Sequence, residues 1–225
     1  MISENKLFDL HCHSIFSDGE LIPAELVRRL EVRGYSAVAI TDHADPSNID
    51  IIIPHLIKAA DVMNGHFDTL LLPGVELTHV PPDLINEMAS EARKLGAKIV
   101  VVHGETLSEP VAPGTNRAAL ESDIDILAHP GLISEEDVLL AASKGIFLEL
   151  SARKGHCLSN GHVARLARTH NARLIVDSDG HAPDDFMNPG DAINIAKGAG
   201  LSDDEVTDLF NYIEDWLRTR FQLDI

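Results

Sequence analysis

His11 and His13 stand two residues apart at the end of the apolar run Leu7-Phe8-Asp9-Leu10, and the same arrangement recurs along the chain. Ala37-Val38-Ala39-Ile40 leads into Asp42 and His43, Leu70-Leu71-Leu72 into Glu76, and Ile99-Val100-Val101-Val102 into His103. Ile126-Leu127-Ala128 meets His129, and Leu174-Ile175-Val176 leads into Asp177, Asp179 and His181. Imidazole nitrogens and carboxylate oxygens are side-chain donors that hold zinc, manganese and iron. A lone H-x-H pattern is weak evidence. Six apolar runs that each end in such a group point to a site for several divalent ions.

Side chains two apart on a strand point the same way, so His11 and His13 can share one ion. The turn Ser17-Asp18-Gly19 can fold another carboxylate over the same mouth; the competing role for Asp18 is turn formation or capping of the next helix. In Thr41-Asp42-His43 the imidazole is the better ligand, with Asp42 expected to orient it by a hydrogen bond, as Asp9 would for the first pair. Cys12, between the two histidines, faces the other way, which favours packing over ligation.

Short apolar runs bounded by turn residues read as buried parallel strands, and Ile146-Phe147-Leu148-Glu149-Leu150 brings their number to seven. Helical segments fit between them at Pro23–Arg33, Pro82–Leu95, Ser134–Lys144, Asn160–His170 and Pro189–Lys197. Pro110, Pro113 and Gly114 leave room for only a short helix near Asn116–Ser122. A last helix, Ser202–Phe221, carries Leu209, Phe210, Ile213, Trp216 and Leu217 at helical spacing and is expected to pack on the barrel exterior. Repeated β–α units imply parallel strands with right-handed crossovers. Seven of them predict a distorted, TIM-like (β/α)7 barrel spanning residues 1–225 as a single domain, with an open doubly wound sheet as the alternative. In such a barrel, functional groups gather at the carboxyl ends of the strands.

The 225 residues include 36 acidic against 18 basic side chains, a formal net charge of −18. That balance disfavours long nucleic acid, whose affinity rests on Lys and Arg contacts to phosphates, and favours a small anionic substrate drawn in by bound metals. The chain enters its first strand almost at once, so no signal peptide is expected. No apolar stretch approaches the length that crosses a bilayer, so no membrane partner is expected. Two cysteines, Cys12 and Cys157, are too few for a disulfide framework and fit a reducing cytoplasm. Nothing in the sequence fixes an oligomeric state.

Taken in order, Asp9-Leu10-His11-Cys12-His13-Ser14, Ser17-Asp18-Gly19, Thr41-Asp42-His43, Gly74-Val75-Glu76, Val102-His103, Ala128-His129-Pro130 and Ser178-Asp179-Gly180-His181 resemble the PHP (polymerase and histidinol phosphatase) family. The resemblance implies a distorted seven-stranded barrel, two to three divalent ions (zinc, manganese or iron), and hydrolysis of a phosphate ester by a hydroxide activated at a trinuclear site. It assigns His11, His13, Glu76 and Asp179 to one ion. Glu76 would bridge to a second ion held by His103 and His129, and Asp18, His43 and His181 would hold a third. Many family members have His where this chain has Asp18; the harder oxygen ligand would shift preference toward manganese or iron. A stand-alone phosphatase acting on a small phosphomonoester is the reading that follows. A phosphodiesterase or exonuclease on short nucleotides, or a non-catalytic metal-stabilised accessory module, are the alternatives. The amidohydrolase barrel also begins with H-x-H, but its bridging lysine on the fourth strand has no counterpart here.

Several groups stay open at this point. Arg153 and Lys154, after the sixth strand, could take a phosphate's non-bridging oxygens or be a solvated loop pair. His79 and His156 could reach substrate. His181 or Asp184 could protonate the leaving group. Glu105 and Glu149 have no assigned role, the latter because its strand register leaves it facing either way. His55, His66 and His170 read as surface or packing residues, and His162 has no assigned role. Loops around residues 44–55, 78–83, 104–118 and 151–162 are expected to carry specificity.

Overall fold

A computed structural model describes residues 7–222. Seven long-range parallel pairings build one sheet from the strands β1 (Leu7–Cys12), β2 (Tyr35–Ile40), β3 (His43–Ala44), β4 (Leu70–Leu77), β5 (Ile99–His103), β6 (Ile126–Ala128), β7 (Phe147–Ser151) and β8 (Leu174–Asp177). The order is β1-β2-β4-β5-β6-β7-β8, with the two-residue β3 beside β4. The seven expected strands are therefore present, and the ring they form is nearly closed.

Closure between β8 and β1 does not use a regular ladder. A single bridge joins Cys12 to Gly180, with His13 N–H donating to the Gly180 carbonyl at 2.9 Å. Below it, two buried carboxylates replace missing backbone acceptors. Asp177 Oδ1 accepts from Leu10 N at 2.7 Å, and Asp9 Oδ1 accepts from Ser178 N at 3.2 Å. Buried backbone donors must be paired, and these side chains satisfy them where the strands splay.

The helices α1 (Pro23–Val32), α2 (Ile49–Met63), α3 (Ile85–Leu95), α4 (Thr115–Glu121), α5 (Glu135–Lys144), α6 (Asn160–His170), α7 (Pro189–Gly198) and α8 (Asp203–Phe221) cover the ring. Their starts follow the expected chemistry. Pro23 and Pro189 open α1 and α7, Ser134 Oγ accepts from Asp137 N, and Ser202 with Glu205 forms a capping box. Each presents a buried apolar stripe, such as Leu26, Val27 and Leu30 on α1, against strand residues that are fully buried. α2 was not expected at full length: it starts inside the stretch 44–55 read as loop, and it carries Pro54 within its body. The segment 82–95 is a 3₁₀ turn, Pro82–Leu84, running into α3.

α8 lays Val206, Leu209, Phe210, Ile213 and Leu217 on the barrel, and Trp216 meets Phe147 edge-on at 5.1 Å. Arg220 pairs with Asp125, just before β6, at 2.9 Å. This helix therefore lies at the amino ends of the strands, opposite the mouth. No helix among the described residues is long and apolar enough to cross a membrane.

Candidate metal centre

The alternation of β1 sends Asp9, His11 and His13 to the interior, and all three are buried. His11 Nδ1 lies 2.6 Å from Glu149 Oε1 on β7, while Glu149 Oε2 accepts from His129 N at 2.9 Å. One carboxylate thus orients an imidazole and braces the loop after β6. Glu149 faces inward, which settles the register left open by the sequence. The polar pair Glu149 and Ser151, alternating with Leu148 and Leu150, was the available signal.

With Nδ1 engaged, His11 Nε2 turns toward Glu76 Oε1 at 3.3 Å and Asp179 Oδ1 at 3.8 Å. His13 Nε2 lies 3.3 Å from Asp179 Oδ1 and 3.9 Å from Glu76 Oε2. His11 Nε2, His13 Nε2 and Glu76 Oε1 are buried without a hydrogen-bond partner. Unpaired donor atoms converging at these separations fit a cation between them, since buried polar atoms otherwise find partners. Glu76 also reaches outward: Oε1 is 3.7 Å from His129 Nε2, and Oε2 is 2.5 Å from His43 Nδ1.

His43 owes its place to a break in the second strand. β2 ends at Ile40, and β3 resumes beside the far half of β4, pairing His43 with Glu76 and Ala44 with Leu77. His43 Nε2 then meets Asp18 Oδ1 at 3.4 Å, and His181 Nε2 meets the same oxygen at 3.1 Å. With His13, these donors lie within 4.8 Å of one another. Asp18 is held there by the turn in which Gly19 N–H donates to the Ser14 carbonyl, so the turn and the ligand-capable roles coexist. Arg153 reaches the same edge: its guanidinium donates to the Asp179 carbonyl at 3.1 Å and lies 2.7 Å from His181 Nδ1.

On the other side of the mouth, His103, His129 and His156 form a buried trio, and His79, His103 and Glu109 form a second cluster beside it. His129 and Asp179 have φ of 28° and 51°. A left-handed backbone costs a non-glycine residue energy, and here it turns both side chains into the mouth.

Charge is concentrated in this volume. Burial alone would lower the His11 pKa, but Glu149, Glu76 and Asp179 outweigh it and hold the imidazole well above its ordinary value. Burial pushes His13 down to about 3 and His129 well below 6.5, so both are neutral, as ligation requires. Burial works against the charge on Asp179, Glu76 and Asp18, yet the surrounding imidazoles win and keep all three acidic. The buried carboxylates stay acidic and pull His11 and His43 up while burial pushes His13 and His129 down, so the negative charge gathered here favours a cation.

The nine residues His11, His13, Asp18, His43, Glu76, His103, His129, Asp179 and His181 are thus brought to one mouth. A cavity of 240 Å³ opens onto it, lined among others by Thr78, His79, Glu109, Arg153 and His156. Other expectations need correction. Asp42 does not orient His43: it accepts from Ser14 N, Ser14 Oγ and Ser17 Oγ at 2.7, 2.7 and 2.8 Å, and so ties down the loop carrying Asp18. Neighbours on an extended chain point apart; His43 is held instead by Thr78 Oγ1 at 2.7 Å. Asp9 acts on the backbone of His11 and Ser178, and its carboxylate does not orient the imidazoles. Lys154 and Asp184 are exposed and do not line the cavity. Neighbouring Asp185 is tied to the N–H groups of His181 and Ala182. Glu105 is bonded to Gly114 N and Asn116 N, holding the start of α4. Glu109 was missed: it sits on an irregular loop with no periodicity to mark it.

A nearly closed ring of parallel strands with imidazoles and carboxylates converging at its mouth defines an α/β barrel whose side-chain clusters fit metal binding. The chain belongs to the PHP domain family, whose model matches residues 9–166. It is 45% identical over 214 residues to the uncharacterized protein MJ1295 of Methanocaldococcus jannaschii, covering 94% of this chain and 98% of that one. It is 26% identical to ribonuclease P protein component 3 of Methanosarcina barkeri, over 96% of this chain and 90% of that protein. Among solved structures, the histidinol phosphate phosphatase HisK of Lactococcus lactis, complexed with zinc, L-histidinol and phosphate, aligns with a TM-score of 0.62 at 15% identity, covering 87% of this chain and 94% of that chain.

Proposed function

We propose that the protein is a metal-dependent phosphoesterase that hydrolyses a small phosphomonoester, with up to three divalent ions held by the nine residues named above. The observation that carries this reading is the convergence of unpaired, buried His11 Nε2, His13 Nε2 and Glu76 Oε1 beneath a cavity that also receives Arg153. Divalent ions bound there would polarise a phosphate and make a hydroxide available near neutral pH. Glu76, facing both His11 and His129, would hold two of them in register. Arg153 would release its contacts to Asp179 and His181 and donate to two non-bridging oxygens of the phosphate, where charge builds in the transition state. Asp42 would keep the loop bearing Asp18 in place. At 240 Å³ the cavity sits below the usual range for drug-sized ligands, which favours a compact monoester over a tracked polymer.

The test is reconstitution with manganese or zinc, followed by assay on p-nitrophenyl phosphate and a panel of phosphorylated metabolites. Turnover that is abolished by chelation and restored by metal is the expected result. A protein that reproducibly holds no metal, or that cleaves no monoester when loaded, would overturn the reading. The likeness to ribonuclease P component 3 supports a second one, in which the barrel serves an RNA-containing assembly. Cleavage of long RNA or stable association with it, in place of monoester turnover, would favour that alternative.

A further inference from the structure

We propose that His156 is a tenth metal ligand, joining His103 and His129 on one ion, with Glu109 as an exchangeable carboxylate over the same position. This rests on the metal-dependent reading above and adds two residues to the nine that the family pattern supplies. His156 opens the 3₁₀ turn after β7 and is 4% exposed. Its ring stacks on His129 at 4.1 Å, and His103 meets His129 edge-on at 4.4 Å. One donor nitrogen from each of the three lies within 4.8 Å of the others.

The hydrogen bonds select which nitrogens face inward. His103 Nδ1 lies 3.1 Å from the Gly104 carbonyl, which can only accept, so Nδ1 carries the hydrogen and Nε2 presents a lone pair. That lone pair faces Glu109 Oε2 at 3.1 Å. Two acceptors at this separation repel unless a cation or a proton lies between them. His156 Nδ1 is held by Thr106 Oγ1 at 2.8 Å, turning Nε2 toward Glu109 Oε1 at 3.4 Å. Zinc–nitrogen bonds of about 2.0–2.1 Å in a four- or five-coordinate shell place neighbouring donors roughly 3–3.5 Å apart. The observed 3.1 and 3.4 Å fall within that range.

Burial separates the roles. The three imidazoles are nearly inaccessible, whereas the Glu109 side chain is 39% exposed and is met from outside by His79 at 3.4 Å. A loop carboxylate of this kind can leave when a substrate anion arrives, while the imidazoles stay. The structure therefore assigns the second ion three histidines beside the bridging Glu76, with Glu109 as one replaceable oxygen ligand.

The experiment compares metal-loaded wild type, His156→Gln and Glu109→Gln by elemental analysis, cobalt absorption and chelator competition. His156→Gln should lose one equivalent and alter the cobalt bands while the remaining ions stay. Glu109→Gln should keep the count but bind one ion about tenfold or more weakly. A folded His156→Gln variant with wild-type metal content and cobalt spectrum overturns the proposal, and a raised KM alongside would place His156 on the substrate. If His156→Gln does not fold, Glu109→Gln decides, because unchanged affinity for every ion overturns it too. Wild type without metal would sink the metal-dependent reading itself, a separate outcome.

Discussion

Glu149 serves two donors with one carboxylate, His11 Nδ1 through Oε1 and His129 N through Oε2. An amide can accept on one side only, so Glu149→Gln either sets its NH2 against the His129 N–H or turns it to His11 Nδ1, which forces the ring hydrogen onto Nε2 where a metal needs a lone pair. An unsatisfied buried donor costs about 1–3 kcal/mol. Loss of a partner that orients a ligand commonly weakens metal binding about 10–100-fold. Both effects should appear, as a lowered melting temperature and a weakened affinity in chelator competition; wild-type affinity would show that His11 needs no brace. Asp9 offers a pH test with a definite sign. Burial pushes its carboxyl up from 3.8 to about 6. Between those values the folded protein keeps a proton that the unfolded chain has released. Its contribution to stability is therefore complete below pH 3.8 and is lost as pH rises through about 6. Asp9→Asn can still accept from His11 N and Ser178 N and does not titrate. In metal-free protein, wild type should lose more stability than the variant as pH rises from 4 to 7, by an amount on the order of 2 kcal/mol, read by urea unfolding. Parallel pH curves would refute this.

At the scale of elements, β4 carries Glu76 past the break between β2 and β3, and Gly74 makes that path possible. A Cβ at Gly74 would lie 2.7 Å from Thr41 Cγ2 and 2.9 Å from the Ile99 carbonyl oxygen, and backbone cannot yield as a side chain can. Gly74→Ala should destabilise the fold by about 1–3 kcal/mol and reduce metal content by displacing Glu76, two residues on. Thermal melts with elemental analysis check both; a variant normal in each would show that the strand has slack. These same elements show what a sequence can and cannot reveal. The seven strands were legible because buried parallel strands are continuous apolar runs, and the metal-capable residues because they end those runs. β3 was not, since two residues carry no periodicity and their pairing exists only through β4. α2 was obscured by Asp45-Pro46-Ser47-Asn48 and by Pro54, both of which read as turn chemistry. Asp42 escapes the sequence because neighbours on an extended chain point apart, and its partners are Ser14 and Ser17 on the loop after β1. Glu109 and His156 become a pair only when the loops after β5 and β7 meet over the mouth.

For the whole molecule, the decisive quantity is the excess of 36 acidic over 18 basic side chains. Many of the basic groups are already committed to carboxylates. Arg29 pairs with Glu25, Arg93 and Arg220 with Asp125, Arg117 with Asp137, Arg168 with Glu205 and Lys197 with Asp203. Bound cations would add positive charge only at the mouth, over a distance comparable to the Debye length of roughly 8 Å at physiological salt. A protein that tracks a nucleic-acid backbone neutralises several phosphates in a row, and its affinity then falls steeply with salt. No such row is formed by the ion-paired groups named here, despite the likeness to a ribonuclease P component. The metal-loaded protein should therefore bind tRNA-sized RNA no more tightly than about 10⁻⁴–10⁻⁶ M at physiological salt, with a shallow salt dependence near that of one or two phosphate contacts. Fluorescence anisotropy across a salt series measures both quantities. Submicromolar binding with a steep slope would mean that a basic surface is assembled in a way the charge balance conceals, and would move the weight of the functional reading from a small phosphomonoester to RNA.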